Sequence, residues 1–432
     1  ARKIHILITG LFCTFNSSFG TSMPSGDLDA TIDHFNVYDR VHLTLLNSLT
    51  MVGFVLGPLF WGPLSEFVGR RPVLLSSYSV YIVLPDLNAL LGFRLLCGIS
   101  AAAPTTVISG LYADILNDTS QRGAAVALYM ASNTCGALLG PLISGFASQI
   151  SWKWPFWIAG MIAAPGILLL AALPETFAPI LYNKQIVQQR ESNDFCETGQ
   201  EFTQLQSFDP QKIFLRPVTL MVTEPILLLS SLYLALAYAV LYLIIQAYPI
   251  IFQDLYGLSA GISGLAYLPM VLGVFIALII FFGFIRWHGK SLEAGKPWAQ
   301  REINRRLPVA CLASPCMIVS LFWLGWASWK SISPLLPAFG GIFFGVGFQL
   351  VFMSMLNYIT DVFRQMSASA HAGASCLRSI GAILVPLAAG PMYDTLGVHW
   401  APSLLGFLVL IMGIIPFLFI RYGELLAKKS NR

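Results

Sequence analysis

Charge is what this chain of 432 residues lacks most. Only 11% of its residues are Asp, Glu, Lys or Arg, against about a quarter in a soluble domain. The apolar share is 56%, which leaves too little polar surface to cover a water-soluble fold. Extended polar stretches are scarce too, and 174–216 is the one long example. The seven cysteines are scattered (Cys13, Cys97, Cys135, Cys196, Cys311, Cys316, Cys376). Cys311 and Cys316 lie five apart in an apolar run, which is no zinc spacing, so all seven read as small buried hydrophobes. A phosphate-cradling glycine loop, a metal-ligand cluster and a nucleophile elbow are all missing. Those absences exclude the common enzyme classes, and no cofactor or metal is expected.

What the chain has instead is apolar runs. A membrane crossing needs about 20 such residues. Twelve runs are candidates: 4–23, 41–64, 73–84, 89–111, 124–150, 155–173, 225–252, 262–285, 307–326, 335–358, 372–390 and 402–420. The third is too short, since twelve residues of helix cover about 18 Å of a core about 30 Å thick. Residues are therefore expected to be missing from this chain between Tyr81 and Pro85. No cleavable signal precedes the first run, and a head segment before Ala1 is expected to be missing as well.

Basic residues fix an orientation. With both termini in the cytosol and loops assigned alternately, Arg40, Lys153 and Lys330 fall outside. Arg94 and Arg378 fall within runs, and the other twenty of the 25 Lys and Arg fall inside. That bias is the positive-inside pattern. The net charge of +4 therefore reports topology and implies no nucleic acid partner. The first outer loop is acidic, with Asp27, Asp29, Asp33 and Asp39. The sequons at Asn16 and Asn117 fall in a run and in an inner loop, so neither is expected to be glycosylated.

The chain repeats itself. Residues 136–145 read GALLGPLISG and residues 381–390 read GAILVPLAAG, an offset of 245. Tyr112 and Asp114 close the preceding run as Tyr358 and Asp361 close its counterpart, and Trp154 and Trp400 follow. Small residues let helices approach closely, and Pro141 and Pro386 each remove a backbone hydrogen bond, so both runs are expected to bend there. The reading is an all-helical membrane protein of twelve spans in two related six-helix bundles, 1–173 and 217–432, joined by an inner linker, 174–216.

A short polar hairpin, GPLSEFVGRR at 62–71, separates the second and third runs. It resembles the G-x-L-[SA]-[DE]-x-x-G-R-[RK] loop of the major facilitator superfamily. By that resemblance Glu66, Arg70 and Arg71, with Asp114 and Asp361, form a charged latch holding one of two global conformations. Gly136, Gly140, Pro141 and Gly145 resemble the fifth-span antiporter motif. Arg94 with Gly98 resembles the fourth-span R-x-x-x-G, and Leu173-Pro174-Glu175-Thr176 resembles the end of the sixth span. Asn357-Tyr358, Asp361, Ala368-Ser369-Ala370 and Arg378-Ser379 resemble a run of fungal twelve-span drug:proton antiporters. The resemblance implies the facilitator fold and export across the plasma membrane.

Intramembrane charges are costly and usually functional. Arg94 and Arg378 are the two, and both are expected to face a central cavity. Amides are the next candidates, because lipid cannot satisfy them: Asn16, Asn47, Asn133 and Gln349. Tyr238, Tyr242 and Gln246 are four apart and share one helix face, and Phe348 joins the aromatic lining. Asn133 and Arg378 are equivalent by the repeat and should lie at one depth. No Asp or Glu falls at mid-membrane, and Gln246 stands where a proton-carrying Glu is expected in relatives. Asp27, Glu224 and His371 remain as candidate carriers.

The function expected is a monomeric, secondary active exporter of small hydrophobic or amphiphilic molecules, exchanging them for protons by alternating access in the lipid bilayer. One alternative is a carrier of organic anions that uses Arg94 and Arg378. Another, of a different class, is a membrane transceptor that senses a ligand without moving it.

Overall fold

The computed structural model describes residues 2–26, 40–81, 87–116, 118–176, 182, 210–363 and 367–430. Every regular element among them is a helix. Spans one to six are Arg2–Ser22, Arg40–Phe67, Arg70–Tyr81, Leu87–Ile115, Thr119–Ala147 and Trp154–Ala171. Spans seven to eleven are Pro225–Tyr248, Leu268–Glu293, Leu307–Ala327, Leu335–Val362 and Ser367–Leu387. The twelfth crossing is built from Ala389–Met412 and Ile415–Ser430.

Among the described residues, nine stretches are long and apolar enough to cross a membrane unaided. Span one is not among them, because Asn16, Ser17, Ser18 and Thr21 dilute it. Those side chains are at most 5% exposed, whereas Ile4 and Ile8 lie open on the same helix. The helix thus turns a polar face into the bundle and an apolar one outward. Span three is 12 residues long, and the residues expected to be missing after Tyr81 lie outside the described ones.

Three features differ from the apolar-run reading. Span seven continues through a π-helical turn, Pro249–Leu255. A helix over Pro210–Thr223 precedes it and packs Pro217 and Met221 against Gly373 of span eleven. Gly397 at φ 72° breaks Ala389–Met412, a conformation that glycine reaches without a Cβ penalty, so the last crossing starts just after it.

The sequence repeat returns as a packing repeat. Span one lies on span five as span seven lies on span eleven, and span two lies on span four as span eight lies on span ten. Glycine marks both first pairings. A Cβ at Gly136 would strike the Phe15 carbonyl, and one at Gly381 would come 3.1 Å from the Ala235 carbonyl. The first six helices meet the last six through spans two and eleven and through spans five and eight. Neither proline breaks its helix in mid-span: span five runs on past Pro141, and Pro386 is the second-last residue of span eleven.

Candidate functional site

Arg378 sits in the middle of span eleven. Its guanidinium carbon lies 4.9 Å from the Tyr238 ring centroid and 5.6 Å from that of Phe352. One terminal nitrogen donates to Ser375 Oγ at 3.1 Å. Its Nε is buried and has no acceptor among the described residues. Ring faces are negative, so two of them stabilise a cation that lipid would expel. The four-residue spacing read from the sequence holds: the Tyr238 and Tyr242 hydroxyls are 3.3 Å apart. On span ten Phe344, Phe348 and Phe352 stack at 5.9 and 4.5 Å, extending the aromatic wall.

Next to this wall the two sets of helices touch. Thr134 Oγ1 donates to Gln349 Oε1 at 2.9 Å, span five to span ten. Gln349 is fully buried, and its Nε2 has no partner among the described residues. Ser379 Oγ donates to the Phe54 carbonyl at 3.3 Å, and Cys376 approaches that of Val55 at 3.4 Å. Asn133 is held within the first six helices, where its Oδ1 accepts from Ser18 Oγ. Asn16 is fully buried in span one. Gln246 lines a cavity of about 10 Å³ with Thr21, Ser25, Met51, Tyr242 and Pro386. The Asn47 side chain lies outside the described residues.

Arg94 is 6% exposed and does not join Arg378. Its Nη1 donates to the Gly20 carbonyl at 3.4 Å, and its guanidinium lies 5.1 Å from the Phe156 ring centroid. The structure therefore gathers Tyr238, Tyr242, Phe348, Gln349 and Arg378, and holds Arg94 apart among spans one, four and six.

Span five approaches both sets of helices closely. A Cβ on Gly140 would strike Ser22 of span one, and one on Gly145 would come 2.7 Å from the Ala260 carbonyl, just ahead of span eight. The run of small residues thus clamps span one first and the last six helices second.

At the basic end of the molecule Arg70 Nε faces Asp114 Oδ2 at 3.3 Å and its Nη1 donates to Ser65 Oγ at 2.6 Å. Gly69, at φ 110°, makes the turn before it. Glu175 accepts the backbone N–H groups of Arg70 and Arg71 at 3.1 and 3.2 Å, capping span three with negative charge at its positive end. The Arg71 side chain reaches the Ala171 carbonyl at 2.7 Å rather than a latch carboxylate. The Glu66 side chain lies outside the described residues. The pattern recurs in the last six helices, where Arg306 Nε meets Asp361 Oδ2 at 3.1 Å. Arg122 of the first six reaches the same Asp361 at 3.8 Å.

Glu175 entered the sequence reading only as part of Leu173-Pro174-Glu175-Thr176, with no partner assigned, and Arg122, Arg306, Thr134 and Ser65 were not singled out; the adjacent pair Arg305-Arg306 was a visible signal for one of them.

A twelve-span helical bundle with a polar, aromatic interior and charged pairs at one end is the architecture of a membrane carrier. The chain belongs to the Major Facilitator Superfamily, whose profile matches residues 7–384. It is 33% identical to "Efflux pump FUB11" of Gibberella moniliformis over 99% of this chain and 73% of that protein. It is 34% identical to "Citrinin biosynthesis cluster MFS transporter mrr1" of Monascus ruber, over 96% and 86%. Its fold is similar to that of the proton:xylose symporter XylE, with a TM-score of 0.70 at 14% identity over 97% and 95% of the two chains. The protein is a multi-pass membrane transporter, not an enzyme.

Proposed function

We propose that this transporter exports small hydrophobic or amphiphilic molecules, such as secondary metabolites or drugs, by alternating access. It works as a monomer in the plasma membrane, with both termini in the cytosol. The observation that carries the reading is Arg378 lying on the faces of Tyr238 and Phe352, beside the Thr134–Gln349 bond between the two sets of helices. An aromatic wall with one cation binds flat apolar molecules that carry a polar or anionic edge. The named efflux pump among the relatives supports export. The moving bodies are residues 1–173 and 217–432, with 174–216 as the tether. Tyr238, Tyr242, Phe348, Gln349 and Arg378 contact substrate, and Gln246, Asn16 and Asn133 shape the pocket. Arg94 acts as a positioning residue beside span one. Arg70 with Asp114, and Arg306 with Asp361, are the latches, and Gly136, Gly140, Pro141, Gly145 and Pro386 are the joints.

Export is coupled to proton entry. With Gln246 unable to carry a proton, the carriers within the described residues are Glu224 and His371. Glu224 Oε2 is buried with no partner among the described residues, whereas His371 Nε2 is held by Thr360 Oγ1 at 2.8 Å, so Glu224 is the stronger choice. Asp27 lies outside the described residues.

The test is accumulation and resistance in cells across a compound panel, followed by flux in proteoliposomes with and without an imposed pH gradient. Flux that ignores the gradient overturns proton coupling. Binding without flux replaces the exporter with a sensor. The unpartnered Nε of Arg378 favours one second reading, a carrier of organic anions, in which the substrate's carboxylate completes the guanidinium.

A further inference from the structure

A second cavity, of about 290 Å³, lies at the basic end, away from the aromatic wall. Ser120 lines it from the first six helices, and His288, Gln300, Arg301, Arg305 and Arg306 line it from the last six. It has room for on the order of ten waters, or for a phosphate group with an attached ring. Its electrostatics are lopsided. Asp361 faces Arg306 and Arg122, and among the described residues no carboxylate pairs with Arg301 or Arg305. The nearby Asp118 carboxylate is occupied at its own helix terminus, accepting the Ser120 N–H at 3.0 Å.

His288 forms part of the cavity wall and is 7% exposed. The ring is packed edge-on against Trp298, with centroids 5.6 Å apart, and Trp298 in turn stacks on Trp287 at 4.6 Å.

We propose that this cavity is a regulatory site for a phosphate-bearing anion, held by Arg301 and Arg305 with Ser120. Guanidinium groups bind phosphate through charge-assisted, paired hydrogen bonds. Both sets of helices line the site, so the anion is held while the basic end is closed and released when it opens. A ligand with that preference shifts the population toward the closed form and slows opening. Phosphate can come from a membrane-lipid headgroup or from solution, and the site's chemistry is the same for both.

The experiment uses the full chain in nanodiscs of neutral phosphatidylcholine. Inorganic phosphate and a soluble short-chain phosphatidylinositol phosphate are titrated, with chloride as the control, and binding is read by native mass spectrometry and by the rise in melting temperature. Saturable binding of a phosphate species is expected, weakened about tenfold or more in the double variant Arg301→Gln/Arg305→Gln and retained in Arg301→Lys/Arg305→Lys. The same anion should slow flux in the parent protein and not in the Gln variant, whose flux without the anion stays at the parent level. Binding of inorganic phosphate assigns a soluble source. Binding that needs the headgroup, repeated with the long-chain lipid in the bilayer, assigns a lipid source. Equal binding by the parent and the Gln variant, or no saturable binding of either species, overturns the proposal.

Discussion

Thr134 on span five and Gln349 on span ten meet at 2.9 Å, hydroxyl to amide oxygen, and so tie the first six helices to the last six beside the aromatic wall. Alternating access requires such contacts to break in some states and form in others. The Thr134→Val variant keeps the shape and removes the donor. It leaves the amide of a fully buried glutamine without its partner in this state, at a cost of about 1–3 kcal/mol. The expected result is a lower melting temperature and a roughly five- to 150-fold shift in the balance of states, read by cysteine accessibility at either end. Thr134→Ser should restore both. A Val variant identical to the parent would show that the bond carries no conformational weight.

Arg378 distinguishes the two substrate readings. The Arg378→Lys variant keeps the charge but loses the planar stack on Tyr238 and Phe352, contacts worth about 0.5–2 kcal/mol each. Arg378→Gln loses both. If the substrates are neutral amphiphiles, Lys and Gln should each raise KM by roughly tenfold and leave residual flux. If they are anions, Gln should abolish flux while Lys retains part of it. Concentration-dependent uptake into inverted vesicles makes the measurement.

Much of the fold was legible because membrane crossing imposes its own periodicity. Long apolar runs and a loop bias in arginine need no tertiary knowledge, and eleven of the twelve runs were long enough. The repeat GALLGPLISG and GAILVPLAAG was legible as a packing element because close helix contact demands small residues wherever it occurs. The central arginine was legible because a charge in lipid needs a reason. What stayed hidden depends on approach between distant segments. Nothing local marks Thr134 as Gln349's partner, since a threonine in a helix ordinarily satisfies itself on the preceding turn, and this one also reaches the Met130 carbonyl. Arg94 looked equivalent in kind to Arg378, but its neighbours, Gly20 and Phe156, come from spans one and six. The hairpin motif drew attention to Glu66, while the carboxylate that caps Arg70 and Arg71 is Glu175, about a hundred residues on.

The two arginine–aspartate pairs should respond differently. Asp361 serves Arg306 and Arg122 together, and the Arg306 side chain is 3% exposed. Asp361→Asn removes the carboxylate that the buried Arg306 shares with Arg122, a loss of up to about 3–5 kcal/mol by analogy with broken buried pairs. Asp114→Asn should cost less, because Arg70 keeps its bond to Ser65. Melting temperatures of the two Asn variants against the parent make the measurement, and equal losses would show that Ser65 does not hold Arg70.

Gly145 gives the sharpest steric prediction. A Cβ there would lie 2.7 Å from the Ala260 carbonyl oxygen, and the contact is with backbone, so no side chain can swing away. Spans five and eight would have to separate at the end opposite the arginine latches. Overpacking of this kind costs about 1–3 kcal/mol, and here it falls on the state in which that end is closed. Gly145→Ala should therefore favour opening at that end, raising accessibility of a cysteine introduced at Leu142 while reducing net export. Gly160→Ala is the control, since nothing lies within 4 Å of a Cβ at that position. Unchanged labelling in Gly145→Ala, with Gly160→Ala equally silent, would show that spans five and eight do not form the joint.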